Sequence, residues 1–259
     1  MIRFGCWWFA LGTSWNIIYI IISKGINDIR TITRNAMLVI AVIVILEALA
    51  SGFFYIAIQR VENPAIVAFI GSIGPVFVTI LGIVFLKETY TRKELFGIVL
   101  VIGGVVSISY NGQTLQTILL PGAEFVLFAS LLFAFATIIA RKHHKKVNPP
   151  LIALLRAFLL FSTFLILIFF TGDSLRISMK HILYLSAGSL LEGLLTMVFA
   201  YFALKYIEAA RTSLIISSKS IITLVIAWLV WQILPDSRQL FGGFLTIVGL
   251  YLISIQKRS

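Results

Sequence analysis

Four ionisable residues, Glu47, Arg156, Glu192 and Lys219, stand inside long apolar stretches of this chain. A charge at the centre of a bilayer costs roughly 2.5–3.5 kcal/mol on insertion scales, so each should face protein or water and seek a partner. Glu192 and Lys219 lie about 15 and 12 residues from the turn they share near Ile207-Glu208. At ~1.5 Å per helical residue their depths differ by only ~5 Å, so they can pair. Lining a cavity, such a pair binds a zwitterionic or charged substrate, or Glu192 takes up a coupling proton; between two helices it only holds them together. Glu47 has no cation close in sequence, so its carboxyl is expected to keep its proton at rest, which suits either proton coupling or a quiet interhelical hydrogen bond. Pro75 removes the hydrogen bond to the Gly71 carbonyl beside Ser72 and predicts a kink. Turn-counting puts Pro75 at the depth of Glu47, so freed backbone and carboxylate can face one cavity. Tyr55 continues the Glu47 stripe, with Ser51 and Phe54, and Thr196 that of Glu192. The candidate substrate- or proton-binding set is therefore Glu47, Tyr55, Ser72, Pro75, Glu192, Thr196 and Lys219. Arg156 and Arg3 read instead as residues that snorkel to headgroups. The run Arg141 to Lys146 holds His143 and His144, but adjacent helical residues do not converge on a metal, and the run reads as contact with anionic lipid. No catalytic residue, metal site or cofactor is expected.

The elements that must position these residues follow from composition. Of 259 residues 60% are hydrophobic and 12% charged, with mean hydropathy +1.04, more apolar side chain than one soluble core can hide. Hydrocarbon offers no partner to backbone amides, and the apolar runs are long and without period two, so they span as helices. The fold class expected is all-α, a polytopic transmembrane helix bundle with nine spans: 3 to 23, 36 to 58, 64 to 86, 95 to 110, 122 to 140, 150 to 171, 182 to 204, 210 to 233 and 238 to 256. The net charge of +11 does not imply nucleic acid, because the lysines and arginines sit in short loops; the partners expected are the lipid bilayer and a small-molecule substrate. Fourteen of them fall on one side and five on the other, which puts the richer side and the carboxyl terminus in the cytoplasm. A homodimer is compatible with this pattern, which defines no interface. Cys6 is the lone cysteine.

The chain also repeats itself. Leu95 to Ser109 returns as Leu240 to Ser254 with eight identities in fifteen positions, Tyr55 to Glu62 as Tyr201 to Glu208, and Leu46-Glu47 as Leu191-Glu192, at an offset of 145 or 146. A unit that crosses the membrane an odd number of times puts the loop Lys87 to Glu94 inside and its counterpart Pro235 to Arg238 outside, so the copies are inverted. The domains are 1–112, an incomplete copy of four helices, and 113–259, a copy of five. Helix 122 to 140 has no counterpart, so two inverted five-helix repeats lack their first helix, and a truncated gene or misassigned start is the expected cause. Gly103-Gly104 and Gly242-Gly243 read as sites of close helix packing.

The segment Ala65 to Gly104, with small residues, Pro75 in mid-helix, Glu88 closing the helix, a basic turn and Gly97, resembles the EamA-like family of the drug/metabolite transporter superfamily. The second copy departs from that pattern, with Ile221 at the proline position and Leu234 at the glutamate. The resemblance implies a secondary transporter in a bacterial inner membrane or a eukaryotic organelle membrane, the bacterial inner membrane being the one expected here. It would move a small polar or amphipathic metabolite (amino acid, amine, nucleotide derivative or drug) by alternating access. The competing readings are a truncated or non-transporting membrane protein and an intramembrane enzyme; the latter lacks HExxH, GxSxG and facing aspartates.

Overall fold

The computed structural model describes residues 2–23, 32–61, 64–88, 91–109, 121–145, 147–217, 222, 225–226, 228–229, 232 and 236–254. Among them the ordered elements are all helical: α1 (Ile2–Ile22), α2 (Arg34–Arg60), α3 (Pro64–Gly71), α4 (Gly74–Leu81), α5 (Arg92–Ser109), α6 (Ala123–Lys142), α7 (Pro149–Thr171), α8 (Met179–Gly188), α9 (Met197–Tyr206), α10 (Ala209–Ser217) and α11 (Ser237–Ser254). Each of the nine expected spans contains helix. Among the described residues five helices, α1, α2, α6, α7 and the continuous run Met179–Tyr206, are long and apolar enough to cross a bilayer; Gly74–Leu86 and Leu240–Ile253 are shorter apolar helices. Among the described residues two stretches widen to π-helix, Gly82–Leu86 and Ser189–Thr196.

Local chemistry sets the boundaries. The expected kink becomes a break: α3 ends at Gly71, Ser72-Ile73 form a turn, and Pro75 sits in the first turn of α4, where its missing N–H has no intrahelical partner to lose. Thr91 and Glu94 cap α5 reciprocally, the Glu94 carboxylate accepting from Thr91 N–H and Thr91 Oγ1 from Glu94 N–H, a capping box. Asn148 Oδ1 accepts from Leu151 N–H at 3.1 Å ahead of Pro149-Pro150. At Gly122 the backbone is left-handed (φ +97°), and a Cβ there would lie 2.9 Å from that of Arg60, so only glycine fits. Lys87 and Gln232, 145 residues apart, both take φ 56°.

The helices gather into two compact units, Met1–Ala48 with His143–Tyr206, and Leu49–Lys142 with Ile207–Ser259. Compaction thus cuts the chain differently from the copies expected from sequence, since each unit draws helices from both 1–112 and 113–259. In the first unit α1 packs on α7 and on the run from α8 to α9. Phe164 lies over Gly5 and Trp8 over Gly188, so closely that a Cβ at either glycine would come within 2.7 Å and 2.6 Å of the ring. Trp7 and Trp15 donate indole N–H bonds to the Leu175 and Ser186 carbonyls at 3.0 and 3.2 Å. In the second unit an apolar core of Val67, Ile70, Val76, Val101, Val126 and their neighbours forms between α3, α4, α5, α6 and α11. Helices α5 and α11 pack antiparallel on glycine. A Cβ at Gly97 would meet the Gly249 carbonyl oxygen at 2.6 Å, one at Gly249 the Gly97 oxygen at 2.5 Å, and one at Gly104 the Gly242 oxygen at 2.5 Å. Gly103 has open space instead.

Candidate functional site

In the first unit three helices deliver a carboxylate, a guanidinium and a phenol to one buried point. Glu47 sits at the midpoint of α2, thirteen residues from Arg34 and from Arg60, as deep as that helix allows. Its Oε2 lies 3.3 Å from Arg156 Nε on α7, and its Oε1 accepts a hydrogen bond of 2.7 Å from Tyr201 Oη on α9. Glu47, Arg156 and Tyr201 are 4%, 7% and 4% exposed. At that burial the Coulomb attraction is strong, yet each charge has also given up its water.

This geometry corrects two expectations. Glu47 is not a carboxyl without a cation: its partner is 109 residues further along the chain, beyond the reach of local spacing. Arg156 does not snorkel to headgroups, because the eighth residue beyond the Asn148 cap lies about 12 Å into the helix and its side chain turns inward to Glu47. Tyr201 was missed by sequence reading, although the repeat marks it: it is the counterpart of Tyr55.

The other candidates scatter. Glu192 lies in the π-wound stretch and is exposed, unlike its repeat counterpart Glu47. Lys219 falls outside the described residues, and with it the expected Glu192–Lys219 pair. The half-buried Thr196 gives its hydroxyl hydrogen to the Leu191 carbonyl, 2.9 Å away. In the second unit Ser72, 1% exposed, donates back to the Ala68 carbonyl at 3.1 Å, and the buried Pro75 carbonyl accepts from Thr79 Oγ1 at 2.7 Å. Tyr55 is half-buried.

Membrane-length apolar helices, with an ion pair sealed among them at mid-span, define an integral membrane protein of the polytopic α-helical class. Residues 1–110 and 120–255 match the EamA-like transporter family, and the chain belongs to that family of membrane transporters. It is 23% identical over 255 residues to the uncharacterized transporter YyaM of Bacillus subtilis (strain 168), an alignment covering 96% of this chain and 82% of that protein. It is 19% identical over 233 residues to an uncharacterized transporter of Methanothermobacter thermautotrophicus, covering 89% and 68%. A solved crystal structure of a protein superposes with a TM-score of 0.71 at 11% identity, over 98% of this chain and 87% of the other, a likeness of fold.

Proposed function

We propose that this protein is a secondary transporter that moves a small polar or amphipathic metabolite by alternating access between two inverted repeats. The observation that carries the reading is the reciprocity of the α5–α11 contact. Gly97 faces Gly249 and Gly104 faces Gly242; adding the repeat offset of 145 turns Gly97 into Gly242 and Gly104 into Gly249, so each contact maps onto the other. Two copies of one unit related by a two-fold axis across antiparallel helices are expected to have that property. The two separate stretches of family match support the same reading. Inverted copies have two arrangements of similar energy, as a carrier needs to open to either side in turn.

The Glu47–Arg156–Tyr201 cluster, costly in a bilayer and rarely kept without use, supports a polar cargo. Arg156 and Tyr201 join the candidate set here; Glu192, Lys219, Tyr55, Ser72, Pro75 and Thr196 remain proposed contacts. Complete burial also favours a second reading, in which the cluster only locks α2, α7 and α9 together. The excess of basic residues on one side supports a carboxyl terminus in the cytoplasm, and the bacterial relative supports a bacterial inner (cell) membrane.

Reconstituted vesicles loaded with a metabolite mixture test the proposal. Uptake and efflux of one or more components should depend on the protein and fall at least about tenfold in Glu47→Gln and Arg156→Gln, as the loss of a hydrogen-bonded charge does at a binding site. Parent vesicles that move nothing overturn the transport reading. Folded Glu47→Gln, Arg156→Gln, Glu192→Gln and Lys219→Ala that all transport like the parent overturn the site.

A further inference from the structure

We propose that the first unit also binds a small monovalent cation, sodium by its chemistry, at Asn16 Oδ1 against the π-wound stretch Ser189–Thr196. Asn16 is 0% exposed. Its amide nitrogen donates to the Gly12 carbonyl at 2.8 Å and to the Gly193 carbonyl at 3.1 Å. These two acceptors fix the orientation of the amide, since the reverse flip would set Oδ1 against two carbonyl oxygens. Oδ1 is therefore turned the other way, and among the described residues it has no hydrogen-bond partner. A wholly enclosed acceptor without a donor calls for a ligand that supplies positive charge or a proton.

The surroundings choose between them. The α1 backbone at Gly12 approaches the π stretch closely: a Cβ at Gly193 would be 3.7 Å from Gly12 Cα, and one at Gly12 would be 3.9 Å from Ser189 Cβ. Ser189, also 0% exposed, directs its hydroxyl hydrogen to the Ser186 carbonyl at 3.1 Å, so its oxygen still has a lone pair to offer. The wider winding of Ser189–Thr196 takes its carbonyls out of the ordinary i to i−4 register, and such stretches are frequent at functional sites. The groups that meet where α1 approaches the π stretch are an amide oxygen, a hydroxyl oxygen and backbone carbonyls, all hard and all neutral. That set suits a hard ion of single charge better than a transition metal. A metabolite is too large for a side chain so enclosed. Loosened helices in membrane carriers hold coupling ions through the same kinds of oxygen. This cluster shares no residue with Glu47, Arg156 and Tyr201.

The test is equilibrium binding of radiolabelled sodium to the purified chain in detergent, with choline chloride holding the ionic strength, beside thermal unfolding of the same samples. Saturable binding is expected, together with a rise in melting temperature that choline does not give. Asn16→Ala should abolish both. Ser189→Ala leaves the two Asn16 hydrogen bonds intact and should weaken binding about tenfold, the scale seen when a supporting oxygen is removed from an ion site, with an unchanged melting temperature in choline. Should Asn16→Ala fail to fold, Ser189→Ala carries the test. Two results overturn the proposal: no saturable sodium binding to the folded parent, which leaves a buried water as the partner of Oδ1, or undiminished binding in Ser189→Ala. Binding is read without transport, so the result is independent of whether the chain carries a metabolite.

Discussion

The two compact units differ in how far buried polar groups tie their helices together: both hold hydroxyls that turn back on their own helix, Thr13 and Ser189 in the first among them, and the first adds ties across helices. In the first, Tyr201 bonds to Glu47, Glu47 pairs with Arg156, Asn16 reaches the Gly193 carbonyl and Trp15 the Ser186 carbonyl, every one a tie between different helices. In the second, the buried hydroxyls of Ser72, Thr79 and Thr246 each turn back to the carbonyl four residues earlier, and the buried carboxylate Glu94 caps its own helix. There the helices meet through small residues, glycine on glycine between α5 and α11 and valine, isoleucine and alanine elsewhere. Lipid tails are as apolar as leucine, so helices in a membrane associate by close packing or by polar ties. The first unit uses both, with Phe164 on Gly5 and Trp8 on Gly188 beside its polar ties, and the second shows close packing. Polar ties in the first hold groups able to exchange a partner with a ligand; glycine packing in the second has no such freedom.

The sharpest way to break this contrast is to cut one side of the ion pair. Glu47→Leu or Arg156→Met alone leaves a buried charge uncompensated and should cost about 3–5 kcal/mol, whereas replacing both by apolar residues should recover most of it. Thermal unfolding in detergent measures the first part. Transport by the double variant then separates the two roles of the cluster: a purely structural pair predicts activity near the parent, a substrate-contacting pair predicts a folded but inactive protein.

A smaller effect belongs to the glycine contact. Gly97→Ala puts a methyl 2.6 Å from the Gly249 oxygen, and the helices must separate, at about 1–3 kcal/mol as overpacking does. Gly103→Ala, on the open side of the same helix, should be neutral or stabilising by up to about 1 kcal/mol. Equal melting temperatures for the two variants would remove close packing as the basis of the α5–α11 contact.

Period and length made the helices legible, because hydrocarbon admits little else and the apolar runs mark their own ends. An irregularity at Pro75 was legible from its missing N–H, as a kink within one span; the full break at Ser72-Ile73 was not. Gly104 and Gly242 were legible as packing residues, but Gly103 was not told apart from Gly104, since a one-residue step turns a helix by 100° and the facing helix is not written in the local sequence. The ion pair was the least legible feature. The repeat links Glu47 to Glu192, its relative, and not to Arg156, its partner, because duplication records descent while packing records neighbours. Nor did Asn16 announce itself among the apolar residues of α1; its burial depends on Gly193 lying opposite.

The smallest effect expected sharpens the comparison from the other side. Ser72 was a candidate ligand from its place beside Pro75, yet its hydroxyl bonds to the Ala68 carbonyl, which also accepts from Ser72 N–H at 3.2 Å. Removing that hydroxyl leaves the carbonyl with a donor and opens no gap between helices. Ser72→Ala should therefore change stability by no more than about 0.5 kcal/mol, the range of substitutions that break no special feature. Thermal unfolding should show no shift beyond that. A transport rate that nonetheless fell severalfold in Ser72→Ala would mean that the hydroxyl leaves Ala68 to meet the substrate, and the second unit would then carry chemistry as well as packing.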